Sequence, residues 1–222
     1  MKTEEQKQNS SRTIIAVIAA IAVALAVILG IVYVAGQSSS QDDSGNSAFG
    51  SAEGAGSDVV DVDGSNVTWI GDSVSSGLTP DVLRERFPGI QVDSEPGKSF
   101  RTLSTDLSEM DSAGNLKDVV VIALGLNGFP DKDGLEETLE QFGGRQYILV
   151  YPGGGSSDQT IDVIDQLVAA HPDTVRAADW PGAADKVKDF ADDGVHIGEQ
   201  GANVLADTVA PEISAAQQHL QG

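Results

Sequence analysis

Apolar runs of strand length alternate with segments of helical periodicity over residues 61–222. The runs are continuous in Val, Ile and Leu, which is typical of strands buried on both faces of a sheet. Strands alternating with helices predict a parallel sheet with right-handed crossovers, and therefore a three-layer α/β/α fold. The predicted strands are Val67 to Ile70, Val119 to Leu124, Tyr147 to Tyr151 and Thr174 to Ala178, and the predicted helices are Pro80 to Phe87, Asp133 to Phe142, Asp158 to Ala170 and Glu199 to His219.

A different apolar run, residues 13–35, lies near the N-terminus and carries no charge. About 20 apolar residues suffice to cross a bilayer as a helix, so the run predicts one transmembrane helix. Lys2, Lys7 and Arg12 precede it, and no Lys or Arg follows until Arg84. The positive-inside rule therefore predicts a cytoplasmic N-terminus and an extracytoplasmic remainder in the cell envelope. A cleaved signal peptide is the alternative, although the run is long for one.

The segment after this run is rich in Gly, Ser, Ala and Asp and too poor in apolar residues to build a core. Such a composition is typical of a flexible linker. The predicted organisation is a cytoplasmic tail at 1–12, a transmembrane helix at 13–35, a linker at 36–60 and a catalytic domain at 61–222.

The chain is strongly acidic, with 34 Asp and Glu against 13 Lys and Arg and a formal net charge of -21. Such a surface repels nucleic acid and anionic polymers, so we expect no nucleic-acid partner and favour a neutral or zwitterionic substrate. There is no cysteine, which excludes thiol catalysis, disulfides and a lipoprotein anchor.

Two short motifs supply the components of a Ser-His-Asp site. Gly71-Asp72-Ser73-Val74 follows the first predicted strand, and Asp193-Gly194-Val195-His196 precedes the last helix. A serine hydroxyl needs an imidazole to take its proton and a carboxylate to orient that imidazole. Asp193 stands three residues before His196, a spacing that lets the carboxylate reach one ring nitrogen in a turn. We predict Ser73 as nucleophile, His196 as base and Asp193 as its partner, and Asp72 as a structural turn residue.

The two motifs resemble the first and last signature blocks of the SGNH (GDSL-type) hydrolases. Gly97 resembles the glycine of the second block, and Gly125-Leu126-Asn127-Gly128 resembles the Gly-x-Asn of the third. The resemblance implies an oxyanion hole formed by the backbone N–H groups of Ser73 and Gly97 and the side-chain amide of Asn127. Such donors stabilise the charge on a tetrahedral intermediate.

Within that family, the surroundings of the third and last blocks look most like the extracytoplasmic domain of peptidoglycan O-acetyltransferases. The resemblance implies a serine O-acyltransferase or esterase acting on O-acetyl groups of cell-wall carbohydrate, with a separate membrane protein as a possible acetyl donor. Leu126 departs from the small hydroxyl residue common in those enzymes. The alternatives are a carbohydrate O-acetylesterase, a general or lipase-like carboxylesterase, and a non-catalytic wall-binding domain.

The other candidates are weaker. Trp180 follows a predicted strand and is a candidate for stacking on a sugar face, whereas Trp69 lies within a strand and is assigned to the core. Two Asp-rich loops, at 61–64 and 131–134, lack the full ligand spacing of a calcium loop and are interpreted as turns or helix caps. No zinc or phosphate-loop pattern occurs, so we expect neither a metal nor a cofactor.

Overall fold

A computed structural model describes residues 62–153 and 157–222, and these residues form a sheet of five parallel strands. The predicted tail, transmembrane helix and linker at 1–60 lie outside the described residues. Within the described part, no helix is long and apolar enough to span a bilayer. The strands are β1 Val67–Gly71, β2 Gln91–Ser94, β3 Val119–Ala123, β4 Gln146–Val150 and β5 Val175–Ala178, in the spatial order β2-β1-β3-β4-β5.

Helices cover both faces of this sheet, which confirms the predicted three-layer α/β/α domain. Helices α1, α5 and α6 pack over one face, and α2, α3 and α4 contribute their apolar residues to the other. The helices are α1 Thr79–Arg86, α2 Leu103–Ser112, α3 Lys132–Gln141, α4 Asp158–Ala170, α5 Trp180–Ala184 and α6 Glu199–His219.

Each face of the sheet has its own apolar core, because successive side chains of a strand point to opposite faces. Trp69 is fully buried in the core under α1 and α6, and its neighbour Ile70 is fully buried in the core under α2, α3 and α4. The assignment of Trp69 to the core is confirmed. Continuous apolar strands therefore arise from two-sided burial, as the sequence pattern predicted.

The predicted elements are found within about two residues of their bounds, but three elements were missed. Strand β2 has the sequence Gln-Val-Asp-Ser and lies half-buried at the sheet edge, so it has no apolar run. Helix α2 buries only Leu103 and Leu107 among Ser, Thr and Asp residues. Helix α5 has five residues and includes a proline, too short for a periodic signal.

Both Asp-rich loops contain a local cap, as predicted. Asp63 accepts a hydrogen bond from the Ser65 N–H at 2.9 Å, and Asp131 accepts one from the Gly134 N–H at 3.0 Å. A side-chain oxygen at such a position satisfies a donor that the first turn leaves free.

The register of β1 determines which loops meet at the carboxyl edge of the sheet. Gly71, the last residue of β1, pairs with Ser94 of β2 on one side and with Ala123 of β3 on the other. The loops that carry Ser73, Gly97 and Asn127 therefore leave three adjacent strands at the same edge, which is where ligands bind in open α/β sheets.

Candidate active site

Ser73 begins a short 3-10 turn, Ser73–Ser75, directly after β1. Asp72 holds this turn, since its Oδ1 accepts a hydrogen bond from the Val74 N–H at 3.1 Å. Its Oδ2 lies 3.4 Å from the Leu126 nitrogen, and its own N–H donates to the Ala123 carbonyl at 3.2 Å. Burial raises the pKa of the Asp72 carboxyl, and backbone donors partly offset the rise. Asp72 is thus a buried structural group that joins the Ser73 turn to the loop after β3.

Asp193 and His196 form a local pair on the loop before α6. Asp193 Oδ2 lies 2.7 Å from His196 Nδ1, while Oδ1 accepts the N–H groups of Val195 at 2.9 Å and His196 at 3.0 Å. These hydrogen bonds, with that of the His196 side chain first, lower the pKa of Asp193 to about 2. The carboxylate is therefore ionised at neutral pH and orients the ring so that Nε2 is left for a reacting group.

The two motifs face one cavity. Among the described residues, the Ser73 hydroxyl makes no hydrogen bond to the His196 ring. His196 nevertheless lies close enough to Asp72 for its charge to lower the pKa of that carboxyl. Residues on either side, Val74 and Val195, line the same cavity. Catalytic hydrogen bonds are often long in the absence of substrate, so this arrangement is compatible with a Ser-His pair.

A hydrogen-bonded hairpin carries the pair and is anchored to the start of α6. Phe190 and Ile197 form an isolated antiparallel bridge, and the Ala191 N–H donates to the His196 carbonyl at 2.8 Å. Just before the hairpin, Asp189 accepts the N–H groups of Gln200 and Gly201, each at 2.8 Å. The Asp189 carboxylate therefore caps α6 and, through the same two hydrogen bonds, ties the base of the hairpin to that helix.

Gln200 strengthens the same anchor. Its Oε1 accepts the Lys188 N–H at 2.9 Å, and its Nε2 donates to the Lys186 carbonyl at 3.1 Å. Gly198 is needed at this point, because a Cβ there would lie 2.4 Å from a carboxylate oxygen of Asp189. This anchor was not predicted from the sequence, where its local signal is Asp189 ahead of Gly198-Glu199-Gln200 at the start of a long helix.

Gly97 and Asn127 lie on adjacent loops that contact each other. The Asn127 Nδ2 donates to the Lys98 carbonyl at 3.0 Å, which holds the amide while leaving its second N–H unused. Gly97 has φ +88°, a conformation that favours glycine, and a Cβ there would meet nothing within 4 Å. The glycine is thus required by the backbone conformation of the turn.

Lys98, the residue after Gly97, holds this turn in place through two ion pairs. Its ammonium pairs with Asp93 at 2.8 Å and with Asp106 at 3.3 Å, and its side chain is 11% exposed. Burial pulls its pKa down, but the two carboxylates outweigh burial and raise the pKa above its usual value. The turn that carries Gly97 is therefore tied to both β2 and α2.

The shared cavity is apolar and has a volume of about 110 Å³. Its lining includes Leu126, Tyr151, Phe190 and Trp180. Trp180 is 5% exposed and packs in the core, so only part of its ring borders the cavity. A role in substrate binding stays a prediction, and it would be a contact with the cavity rather than a broad platform for a sugar.

Comparisons with known proteins agree with this fold. No protein-family model matches the chain. It is 27% identical over 152 residues to the O-acetyltransferase OatA of Staphylococcus aureus, a match that covers 67% of this chain and 25% of that protein. The catalytic domain of the peptidoglycan O-acetyltransferase A of Streptococcus pneumoniae superposes with a TM-score of 0.59 and 25% identity, over 71% of this chain and 96% of that domain. The chain resembles the SGNH hydrolases.

The chain spans about a quarter of the length of the Staphylococcus aureus relatives that it matches. An acetyl esterase with bound acetate superposes with a TM-score of 0.50 at 17% identity, over 70% of this chain and 97% of that one, and shows the shared fold alone. The chain is therefore similar to enzymes that transfer acyl groups, O-acetyltransferases among them.

Proposed function

We propose that the chain is a serine O-acyltransferase or esterase that acts on O-acetyl groups of a cell-wall carbohydrate. The observation that carries the proposal is the Asp193–His196 pair, in which Asp193 Oδ2 lies 2.7 Å from His196 Nδ1. The loop that carries the pair lines the same cavity as the Ser73 turn, through Val195 on one side and Val74 on the other. The resemblance to O-acetyltransferases supports the choice of acyl group and carbohydrate.

In the proposed mechanism, the Ser73 Oγ attacks the acyl carbonyl carbon while His196 Nε2 takes its proton. Asp193 stabilises the imidazolium that forms. The N–H groups of Ser73 and Gly97 and the free N–H of the Asn127 amide donate to the oxyanion. Collapse of the intermediate returns the proton to the leaving oxygen and leaves acyl-Ser73. A second attack, by a sugar hydroxyl or by water, repeats the sequence and frees the serine.

The size of the cavity favours a short acyl group. A cavity of about 150 Å³ holds a benzene-sized group, and this one measures about 110 Å³. Its apolar lining also suits a general carboxylesterase, which is the second candidate. An acetyl group fits without rearrangement, whereas an eight-carbon chain needs the cavity to open. Faster turnover of an octanoyl than of an acetyl ester would favour the lipase-like alternative.

The location of the enzyme that we propose is the outer face of the cell membrane. The uncharged run at 13–35, with basic residues only before it, supports a single-pass membrane anchor with the catalytic domain on the outer face. A separate membrane protein would then supply the acetyl group for transfer. Fractionation of cells expressing the full chain and residues 36–222 tests the anchor, since only the full chain should sediment with membranes.

The decisive experiment for the reaction supplies an activated acetyl ester together with a chitin oligosaccharide. Mass spectrometry follows free acetate and acetylated sugar separately. The variants are S73A and, as a matched control, S108A. Ser108 is exposed on α2 and does not line the cavity, so the same substitution there leaves the reacting group and its surroundings intact.

Acetylated sugar that S73A abolishes and S108A preserves supports a transferase. Free acetate with the same dependence on Ser73 supports an esterase. Activity that survives S73A contradicts the proposed mechanism, and the absence of both products from the unmodified chain favours a non-catalytic wall-binding domain.

A further inference from the structure

A second cluster of chemically active side chains lies on the opposite edge of the sheet from Ser73. It consists of Glu136 and Glu140 on α3 and His171 at the end of α4, and one ligand atom of each lies within 4.8 Å of the others. Both helices end where the chain enters the next strand, so the cluster lies at the amino edge of the sheet. It has no part in the proposed reaction.

We propose that these three side chains bind one divalent transition-metal ion of the Zn²⁺ type. His171 Nε2 lies 2.6 Å from Glu136 Oε1. A His-Glu hydrogen bond alone would explain that contact. It does not explain Glu140, whose carboxylate has no hydrogen-bond or ion-pair partner among residues 62–153 and 157–222 although it stands beside a second carboxylate.

The charges around the cluster favour a cation. Glu136 and Glu140 are like charges four residues apart on one helix face, an arrangement that destabilises a helix unless it is compensated. Glu140 lies in the last turn of α3 and His171 caps the end of α4, and neither last turn contains Lys or Arg. The negative ends of two helix dipoles therefore point toward the cluster, and both favour a positive ion there.

Two basic side chains lie nearby and are already paired. Lys132 binds Glu136 through Oε2 at 2.6 Å, which leaves Oε1 directed at His171. Arg145 pairs with Asp111 at 2.6 Å. Neither neutralises Glu140, so a net negative charge remains at the site.

The donor set indicates the class of metal. One imidazole nitrogen and two carboxylates suit Zn²⁺ and its neighbours, whereas Ca²⁺ and Mg²⁺ prefer oxygen ligands throughout. Bonds of about 2.0 to 2.2 Å place tetrahedral ligands about 3.3 Å apart. The ligand atoms here lie within 4.8 Å of one another, with His171 Nε2 and Glu136 Oε1 2.6 Å apart, so their separations bracket that spacing. A cavity of about 270 Å³ adjoins the three residues and offers the ion an entry and space for water ligands.

Such an ion would join α3 to α4. We therefore expect it to stabilise the fold without changing the acyl chemistry. The sequence showed no zinc pattern because Glu136 and His171 come from different helices. This site departs from the expectation of a metal-free protein, and it does not depend on the proposed function.

The test is calorimetric titration of the full chain with Zn²⁺, with Ca²⁺ and Mg²⁺ in parallel, together with thermal unfolding at several Zn²⁺ concentrations. The variants are E140Q, which breaks no hydrogen bond or ion pair among the described residues, and H171Q. The matched control is E137Q, the same change at an exposed position of the same helix. If H171Q fails to fold, E140Q alone decides.

The expected result is tight binding of Zn²⁺ and a Tm that rises with its concentration. E140Q and H171Q should each weaken binding by at least about tenfold, since even outer-shell changes cost that much at metal sites, and E137Q should leave it unchanged. No Zn²⁺ binding, or binding that E140Q leaves intact, overturns the proposal. Tighter binding of Ca²⁺ than of Zn²⁺ overturns the assignment of the metal class.

Discussion

At the scale of single residues, the candidate site depends on the negative charge of Asp193, which hydrogen bonds from Val195 and His196 stabilise. The Asp193 pKa of about 2 in the folded chain lies below its ordinary value of 3.8. Its contribution to stability is therefore fully present above about pH 4 and is lost as the pH falls through about 2. We expect D193N to lower Tm at pH 5 and to lower it much less at pH 2.

The measurement is the Tm difference between unmodified and variant chains across that pH range. D192N is the control, since Asp192 is exposed and adjacent. A difference that stays constant from pH 5 to pH 2 would contradict the shifted pKa. In the same variant, hydrolysis of an acetyl ester should fall by a factor on the order of 10⁴, because the imidazole loses its orienting partner.

Asn127 gives a separate prediction at this scale. One N–H of its amide binds the Lys98 carbonyl, and the proposed mechanism uses the other. N127A should therefore lower kcat by about 10² to 10³ and change KM little, because the contact is made only in the transition state. Steady-state kinetics with an acetyl ester checks this. A loss confined to KM would assign Asn127 to ground-state binding.

At the scale of elements, the hairpin that carries Asp193 and His196 depends on the cap of α6. Replacing Asp189 by Ala leaves two N–H groups of the first turn without their acceptor. We expect D189A to lower the free energy of unfolding by about 0.5 to 2 kcal/mol. It should also lower kcat, because the hairpin loses its anchor.

The control for D189A is D185N, an exposed Asp on the same connection. Urea unfolding and acetyl-ester kinetics measure the two effects separately. If D189A loses stability but retains kcat, the cap serves only the helix and does not position the catalytic pair.

At the scale of the whole molecule, two cores share one sheet. Ile148 and Leu149 are consecutive and fully buried on opposite faces of β4. Each substitution to Ala should lower the free energy of unfolding by about 2 to 5 kcal/mol. Urea unfolding with an unchanged m-value checks this, and a solvent-facing β4 would instead make one of the two substitutions nearly neutral.

Much of this architecture was readable from local patterns. The apolar runs of β1, β3, β4 and β5 predicted a sheet covered on both sides. A strand with one face in solvent alternates apolar and polar residues, whereas a strand buried on both faces does not. The contact of Asp193 with His196 was also predictable, since three residues of a turn limit how far the two side chains can separate. Asp131 was identifiable as a cap for the same reason.

Other features required the folded chain. Strand β2 lies at the sheet edge, and its half-buried residues carry no apolar signal. The approach of His196 to the Ser73 turn, the anchoring of its hairpin by Asp189 and the meeting of Glu136 with His171 join segments that are distant along the chain. Within the described residues, the sequence by itself determined four of the five strands, four of the six α-helices and the local turn chemistry, because covalent geometry limits near neighbours. Only the tertiary structure decided which of these turns meet, because strand order and helix packing set the distances between remote residues.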